Sequence, residues 1–380
     1  MILTQCAVCA TELGLTLGKK CGRCSTRYCG AECQKQHWEE GGHDKLCKKI
    51  KKAGGAEQYN ANKKYAEAVA VAVEKCADDT KGQTCYICTQ ALHWKTKEGL
   101  VRGCSCRGTA GFAHVSCLAE QAKILYAEAE ENNLDDDVFY ERFKRWYACS
   151  LCEQDYHGVV YHALAWACWK TNLGRPEVDR ARSMAMNQLG GGLYSEEHYE
   201  DALTVREALL ALNRRIGAPE AVMLVVQSNL AMTYGRLGRK EEALRMRRGV
   251  YTGTMKLLGK EAKETVTEAN NYSSSLVDLK RFEVAKALLR KTMPVARRVL
   301  GPEHRLAFKM RWVYARALYE DDRATLDNLR EAVATLEETE RTARRVLGGA
   351  HPATEGIEFH LREARAALRA RENAATGDPD

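Results

Sequence analysis

Residues 104–117 read CSCRGTAGFAHVSC: a Cys-x-Cys pair, seven intervening residues, then His-x2-Cys. Four soft donors in fourteen residues point to a bound metal, since thiolate and imidazole are the ligands zinc prefers. The fold turns on whether these four close one site or supply halves of two. Cys85-x2-Cys88 lies fifteen residues upstream, and Cys149-x2-Cys152 lies 31 residues downstream. Eight donors in four pairs make two tetrahedral sites. The quoted stretch is therefore two half-sites, each completed from elsewhere in the chain.

A second set of eight donors comes first. CAVC (6–9), CGRC (21–24) and YCGAECQKQHWEEGGHDKLC (28–47) supply Cys6, Cys9, Cys21, Cys24, Cys29, Cys33, His43 and Cys47. Cys-x2-Cys lets two thiolates chelate one ion, and a helical His-x3-Cys puts both ligands on one face a turn apart. His37 competes with His43 as the nitrogen ligand. His43 is favoured because it is the i,i+4 partner of Cys47, which leaves His37 to packing or hydrogen bonding. Four sites with four protein ligands each leave no position for water, so the ions, about four zincs per chain, are structural. Cys76 and Cys168 stand outside these spacings and read as small core residues.

Of the 16 cysteines, 15 precede residue 153 and the last is Cys168. A metal-organised N-terminal part thus precedes a part held by an ordinary core. The longest apolar run, VVYHALAWACW (159–169), is interrupted by His162 and too short to span a membrane. The start, MILTQCAVCATELG, lacks the basic opening of a signal peptide. The expected compartment is cytoplasmic and/or nuclear, where thiols stay reduced. The net charge of +7 is spread among interleaved acids and bases, which argues for a solvated mixed surface and against nucleic-acid binding. The chain has no Walker loop, dinucleotide fingerprint or hydrolase elbow.

The order of ligands over 6–47, with Gln34 and His37–Trp38 after the sixth Cys, resembles the MYND zinc finger. Interleaving in that family implies Cys6, Cys9, Cys29 and Cys33 on one zinc and Cys21, Cys24, His43 and Cys47 on the other. The C4HC3 order from Cys85, with one residue between Cys104 and Cys106, Gly108, and the HVSCL ending, resembles the RING-CH finger. Its cross-brace implies Cys85, Cys88, His114 and Cys117 on one ion and Cys104, Cys106, Cys149 and Cys152 on the other. RING-CH proteins are commonly ubiquitin ligases that grip a charged conjugating enzyme without attacking the thioester themselves. The resemblance implies a contact from Ile87 in CYIC, and Leu151 in CSLC adds apolar surface beside it. Two positions depart from the family pattern: Gln121 stands where a Trp is expected, and Glu153 where a basic donor is expected. No catalytic residue is assigned, and the methyltransferase route of some MYND proteins lacks its NHxC-type motif.

The C-terminal half is a repeat. Junctions at Gly217, Gly259, Gly301 and Gly348 are separated by 42, 42 and 47 residues, with Pro219, Pro302 and Pro352 close behind three of them. Gly ends a helix in the left-handed region and Pro suits the next first turn. Ala202, Ala243, Ala285 and Ala332 recur in phase, small enough for two helices to approach closely. NLAMTYGRLGRKEEAL and its neighbours resemble tetratricopeptide repeats of the longer kinesin-light-chain type. One slot holds Gln188, Asn229 and Asn271, with Val313 in the fourth unit. The resemblance implies that such amides clamp a peptide backbone; alternatively they satisfy neighbouring helices within the stack.

The expectation is a mainly α protein: two small double-zinc modules followed by an α-α superhelix of helix pairs. Its parts are a MYND-type finger (6–47), a helical linker (48–80), a RING-CH-type finger (81–156), a connecting helix (157–176), repeats (177–371) and a disordered tail (372–380). The expected function is protein interaction, with a RING-CH-type ligase that recruits a conjugating enzyme while MYND and the repeats hold a client. A non-catalytic adaptor is the alternative. The expected partners are proteins or peptides, not nucleic acid or membrane.

Overall fold

The computed structural model describes residues 5–11, 13, 17–349 and 352–376. The chain forms two compact units, Met1–Ala218 and Pro219–Asp380.

The first unit opens with a two-stranded antiparallel hairpin, β1 (Lys19–Lys20) and β2 (Arg27–Tyr28). Helices α1 (Ala31–Glu39), α2 (His43–Lys52) and α3 (Ala56–Cys76) follow. Then come α4 (Val115–Glu131), α5 (Asp136–Phe143), a 3₁₀ turn at Lys144–Trp146, α6 (Gly158–Asn172), α7 (Arg180–Ser195) and α8 (Tyr199–Arg215). The apolar run VVYHALAWACW is α6. It is buried from Ala163 through Trp169, and it packs against α3, α4, α7 and the 3₁₀ turn. A helix apolar on all sides belongs in a core, and here the core is proteinaceous. Among the described residues no helix is long and apolar enough to cross a membrane.

Close packing sets that core. A Cβ on Gly192 of α7 would lie 2.5 Å from the Cβ of Ala165, and one on Gly103 would lie 2.5 Å from the Cβ of Val160. The polar atoms of α6 are satisfied locally: Trp166 Nε1 donates to His162 Nε2 (3.1 Å), and His162 Nδ1 bonds the Gly192 carbonyl (3.0 Å). Cys168 is fully buried, and burial pushes its thiol far up, as befits an inert core residue. The acidic interval before the last Cys pair is a helical corner. Asp135 caps α5 by accepting from Val138 N (3.0 Å), and Phe139 and Phe143 pack edge-on to Tyr126 of α4.

The second unit contains α9 (Glu220–Arg236), α10 (Lys240–Leu258), α11 (Lys263–Asp278), α12 (Phe282–Leu300), α13 (Arg305–Tyr319), α14 (Leu326–Leu347) and α15 (Pro352–Thr376). Each helix packs on the next, and α11 and α13, first helices of consecutive pairs, also touch. Gly259, Gly301 and Gly348 end α10, α12 and α14 with φ of 84°, 88° and 91°, a region an L side chain rarely adopts. Ala243, Ala285 and Ala332 are at most 2% exposed, each buried on the second helix of its pair. Leu276, Leu289, Phe308, Met310, Leu336 and Ile357 belong to one continuous core. The tail expected from residue 372 is helical through Thr376, because α15 continues past it; residues 377–380 lie outside the described residues.

Candidate metal centres

All four Cys-x2-Cys pairs fold into the same knuckle. The amide of the first Cys donates to the carbonyl five residues on: Cys6 to Thr11, Cys21 to Thr26, Cys85 to Gln90 and Cys149 to Gln154, at 2.8–3.0 Å. The residue after the second Cys turns back to the first carbonyl and takes positive φ: Ala10 (56°), Ser25 (61°), Thr89 (62°) and Glu153 (57°). Inside two of the knuckles, Ile87 N and Leu151 N lie 3.4 Å from Cys85 Sγ and Cys149 Sγ, donors that favour the thiolate.

Each knuckle is completed from a distant segment. Cys29 and Cys33 at the start of α1 join Cys6 and Cys9; His43 and Cys47 of α2 join Cys21 and Cys24. His114 and Cys117 at the start of α4 join Cys85 and Cys88, and Cys104 and Cys106 join Cys149 and Cys152. Within every group the four donor atoms lie within 4.8 Å of one another. Thiol pairs such as Cys21–Cys47 and Cys106–Cys149, both 3.8 Å apart, match the edge of a tetrahedron with Zn–S bonds of ~2.3 Å. None of the 16 thiols forms a disulfide. The crowding is electrostatically costly without a cation. Hydrogen bonding from the Cys104 thiol draws Cys149 down to about 4, and the same contact drives Cys104 far up.

The histidines are oriented for the task. His114 Nδ1 faces Cys88 Sγ (3.4 Å), while its Nε2 lies 3.4 Å from the Ala91 carbonyl and so carries the proton. His43 presents Nε2 to Cys24 Sγ (3.3 Å). His37 instead bonds the Tyr28 hydroxyl through Nδ1 (3.0 Å), with its ring packed on His43. At the fourth centre Gly111 is required: its φ is 84°, and a Cβ there would come within 2.6 Å of Cys106 Cβ and about 3.1 Å of both neighbouring sulfurs. The donors fit zinc at all four centres.

Ile87 is 37% exposed and Leu151 51% exposed, at equivalent positions of the two RING-CH knuckles. The two knuckles are joined by a contact the spacing did not signal. Tyr86 Oη bonds Ser150 Oγ (3.1 Å), and Ser150 Oγ reaches Gln121 Oε1 on α4 (3.5 Å). Glu153 is paired with Arg145, whose Nη2 donates to it (2.8 Å) and whose Nη1 holds the Cys149 carbonyl (3.1 Å). That guanidinium keeps the Glu153 carboxyl below the usual carboxylate range. Arg145 thus clamps the last knuckle.

The amide slot is less uniform. Gln188 of α7 is 7% exposed, with its amide contacting the Trp146 carbonyl and Tyr161 hydroxyl, both at 3.5 Å, so it faces the core of its unit and not a peptide. Asn229 and Asn271 are half-buried. Glu268 accepts from both Ser228 of α9 (2.8 Å) and Asn271 of α11 (3.4 Å), tying the two first helices together.

Four saturated Cys/His centres combined with stacked helical hairpins define a zinc-organised protein-interaction molecule. Comparison with family models refines that class. Residues 6–47 match the MYND finger, 85–134 the RING-variant domain, and 224–261 and 269–306 the tetratricopeptide repeat. The RING-variant match ends before Cys149 and Cys152, which complete the fourth centre. No curated protein matches. Among solved structures, crystal structures of Podosopora anserina kinesin-light-chain nearly identical TPR-like repeats are similar. A point-substituted form is 16% identical, covering 61% of this chain and 97% of that one at TM-score 0.41; a second is 16% identical, covering 62% and 98% at TM-score 0.40. BtubC (BKLC) from P. vanneervenii is 14% identical, covering 70% and 94% at TM-score 0.39.

Proposed function

We propose that this protein is a RING-variant ubiquitin ligase in which the second finger recruits a charged conjugating enzyme and the repeats, with the MYND finger, hold a protein client. One observation carries the reading: two exposed apolar side chains, Ile87 and Leu151, sit on paired knuckles held together by the Tyr86–Ser150 hydrogen bond. An apolar patch on a zinc-rigidified scaffold is a pre-organised docking surface. The ligase has no catalytic residue of its own; it orients a thioester carried by its partner.

A non-catalytic adaptor is the second reading, favoured by Gln121 and by Glu153, an ionised acceptor paired with Arg145. Purified zinc-loaded protein with a panel of conjugating enzymes separates the two. Chain formation lost in Ile87→Ala supports the ligase, and no chains with any enzyme leaves the adaptor. For the client, Asn229→Ala with Asn271→Ala is expected to weaken capture without a matching loss of thermal stability. The reduced thiol centres fit a cytoplasmic or nuclear location, which imaging of the tagged full chain tests.

A further inference from the structure

The first unit contains a cavity of about 250 Å³ that none of the zinc centres uses. Its walls come from the MYND hairpin, the start of α3, and α6, α7 and α8. Three cations line it: Lys20, Arg27 and Arg182. Two acids also line it, but Glu177 is engaged by Arg215, which leaves Glu57 against three positive charges.

The guanidinium of Arg182 is built into place. Its Nη1 donates to the carbonyls of Leu173 and Arg175, the latter at 2.8 Å, and its carbon sits 5.8 Å from the centre of the Trp169 ring. Those bonds use one nitrogen. Nη2 makes no hydrogen bond, so the guanidinium keeps a second donor nitrogen on a fixed side chain that lines the cavity. Arg27 is likewise fixed: 5% exposed, with Nη2 donating to the Leu13 and Leu17 carbonyls. Gly54 and Gly55, with φ of 98° and 107°, lead into α3 with no side-chain cap, so the positive end of a 21-residue helix dipole borders the same space. Trp169, Met186 and Leu212 make the remaining wall apolar.

We propose that this cavity binds the oxyanion end, a carboxylate or a phosphate, of a small ligand whose apolar body lies against Trp169 and Met186. The unbonded Nη2 of Arg182 supplies the directed donor, Lys20 an exposed charge, and the α3 terminus the field. The competing use of these cations is to offset the negative charge of the neighbouring Cys21–Cys24–His43–Cys47 centre. That use predicts no anion site.

Calorimetry on the zinc-loaded full chain, titrated separately with inorganic phosphate and with N-acetyl-leucine, decides the matter. One saturable site for either probe is expected. Phosphate alone identifies a phosphorylated source, and N-acetyl-leucine alone a carboxylate. Arg182→Gln should weaken binding roughly tenfold or more, the loss of a charge-assisted bond. Should that variant fail to fold, Lys20→Glu on the exposed hairpin should still lower affinity with the melting temperature unchanged. Absence of binding by both probes, or affinity untouched in both variants, overturns the proposal.

Discussion

Gly111 shows how narrowly a single position can be specified. Its positive φ and the missing Cβ together let Cys104 and Cys106 reach the last knuckle. Gly111→Ala places a carbon against two ligand sulfurs and the Cβ of Cys106, in a backbone conformation that L residues avoid. The expected outcome, by metal analysis of the purified variant, is loss of one of the four zincs, with the MYND centres retained. Retention of all four would mean the loop relaxes freely. That four zinc centres exist was legible in the spacing of the thiols, because chelation imposes a pattern on neighbours in sequence. The knuckle residue at positive φ was not legible: Ala10, Ser25, Thr89 and Glu153 share no side-chain chemistry, only a place in the turn. Nor was Arg145 legible as the partner of Glu153, since its pairing depends on where the turn after α5 delivers it.

At the scale of elements, helix pairs announce themselves where a local signal repeats, as Gly259, Gly301 and Gly348 do at the ends of α10, α12 and α14. The packing of α3, α6 and α7 has no such signal, because it depends on single small residues far apart in the chain. Gly192→Ala tests it directly. The added methyl meets Ala165 at 2.5 Å on a buried helix, so a destabilisation of ~1–3 kcal/mol is expected in denaturant titration. In the second unit α15 carries a pH-dependent contact. His360 Nδ1 bonds the Tyr319 hydroxyl (2.6 Å) and its ring packs on Trp312. Burial, aided by the Arg316 charge, pulls His360 down to about 4 from an ordinary 6.5. The unfolded chain therefore binds a proton that the folded chain refuses between those values, and stability falls as pH drops from about 6.5 toward 4. His360→Gln removes the titrating group. Its melting temperature should decline less than that of the parent over this range, the zinc contribution being common to both. Parallel declines would show that His360 is protonated without penalty.

The whole molecule divides its sources of stability unevenly between the two units. The apolar cluster of the MYND finger comprises Cys6, Leu13, Cys21, Cys24, Tyr28, Cys47, Ile50 and Ala56, and half of those eight are metal ligands. Remove the ions, and what is left cannot offset the entropy of ordering the chain. The second unit has no cysteine between residues 219 and 380 and owes its fold to a core of leucines, alanines and aromatics. Excess chelator at neutral pH should therefore strip about four zincs per chain and erase hydrogen-exchange protection around α1, α2 and the start of α4. Protection in α11 to α14 should persist at its original level. The fate of α3 and α6 is the informative part. Their mutual packing buries Tyr65, Val69, Leu164 and Trp169 without any ligand among them, yet α3 begins immediately after the second zinc centre, where Ala56 N is bonded to the Cys24 carbonyl (3.0 Å). Loss of that anchor should fray α3 from its N-terminus while α6 stays protected by its own apolar surround. Full retention of the finger protection after zinc removal would refute the division itself, since the thiols would then be held by packing alone.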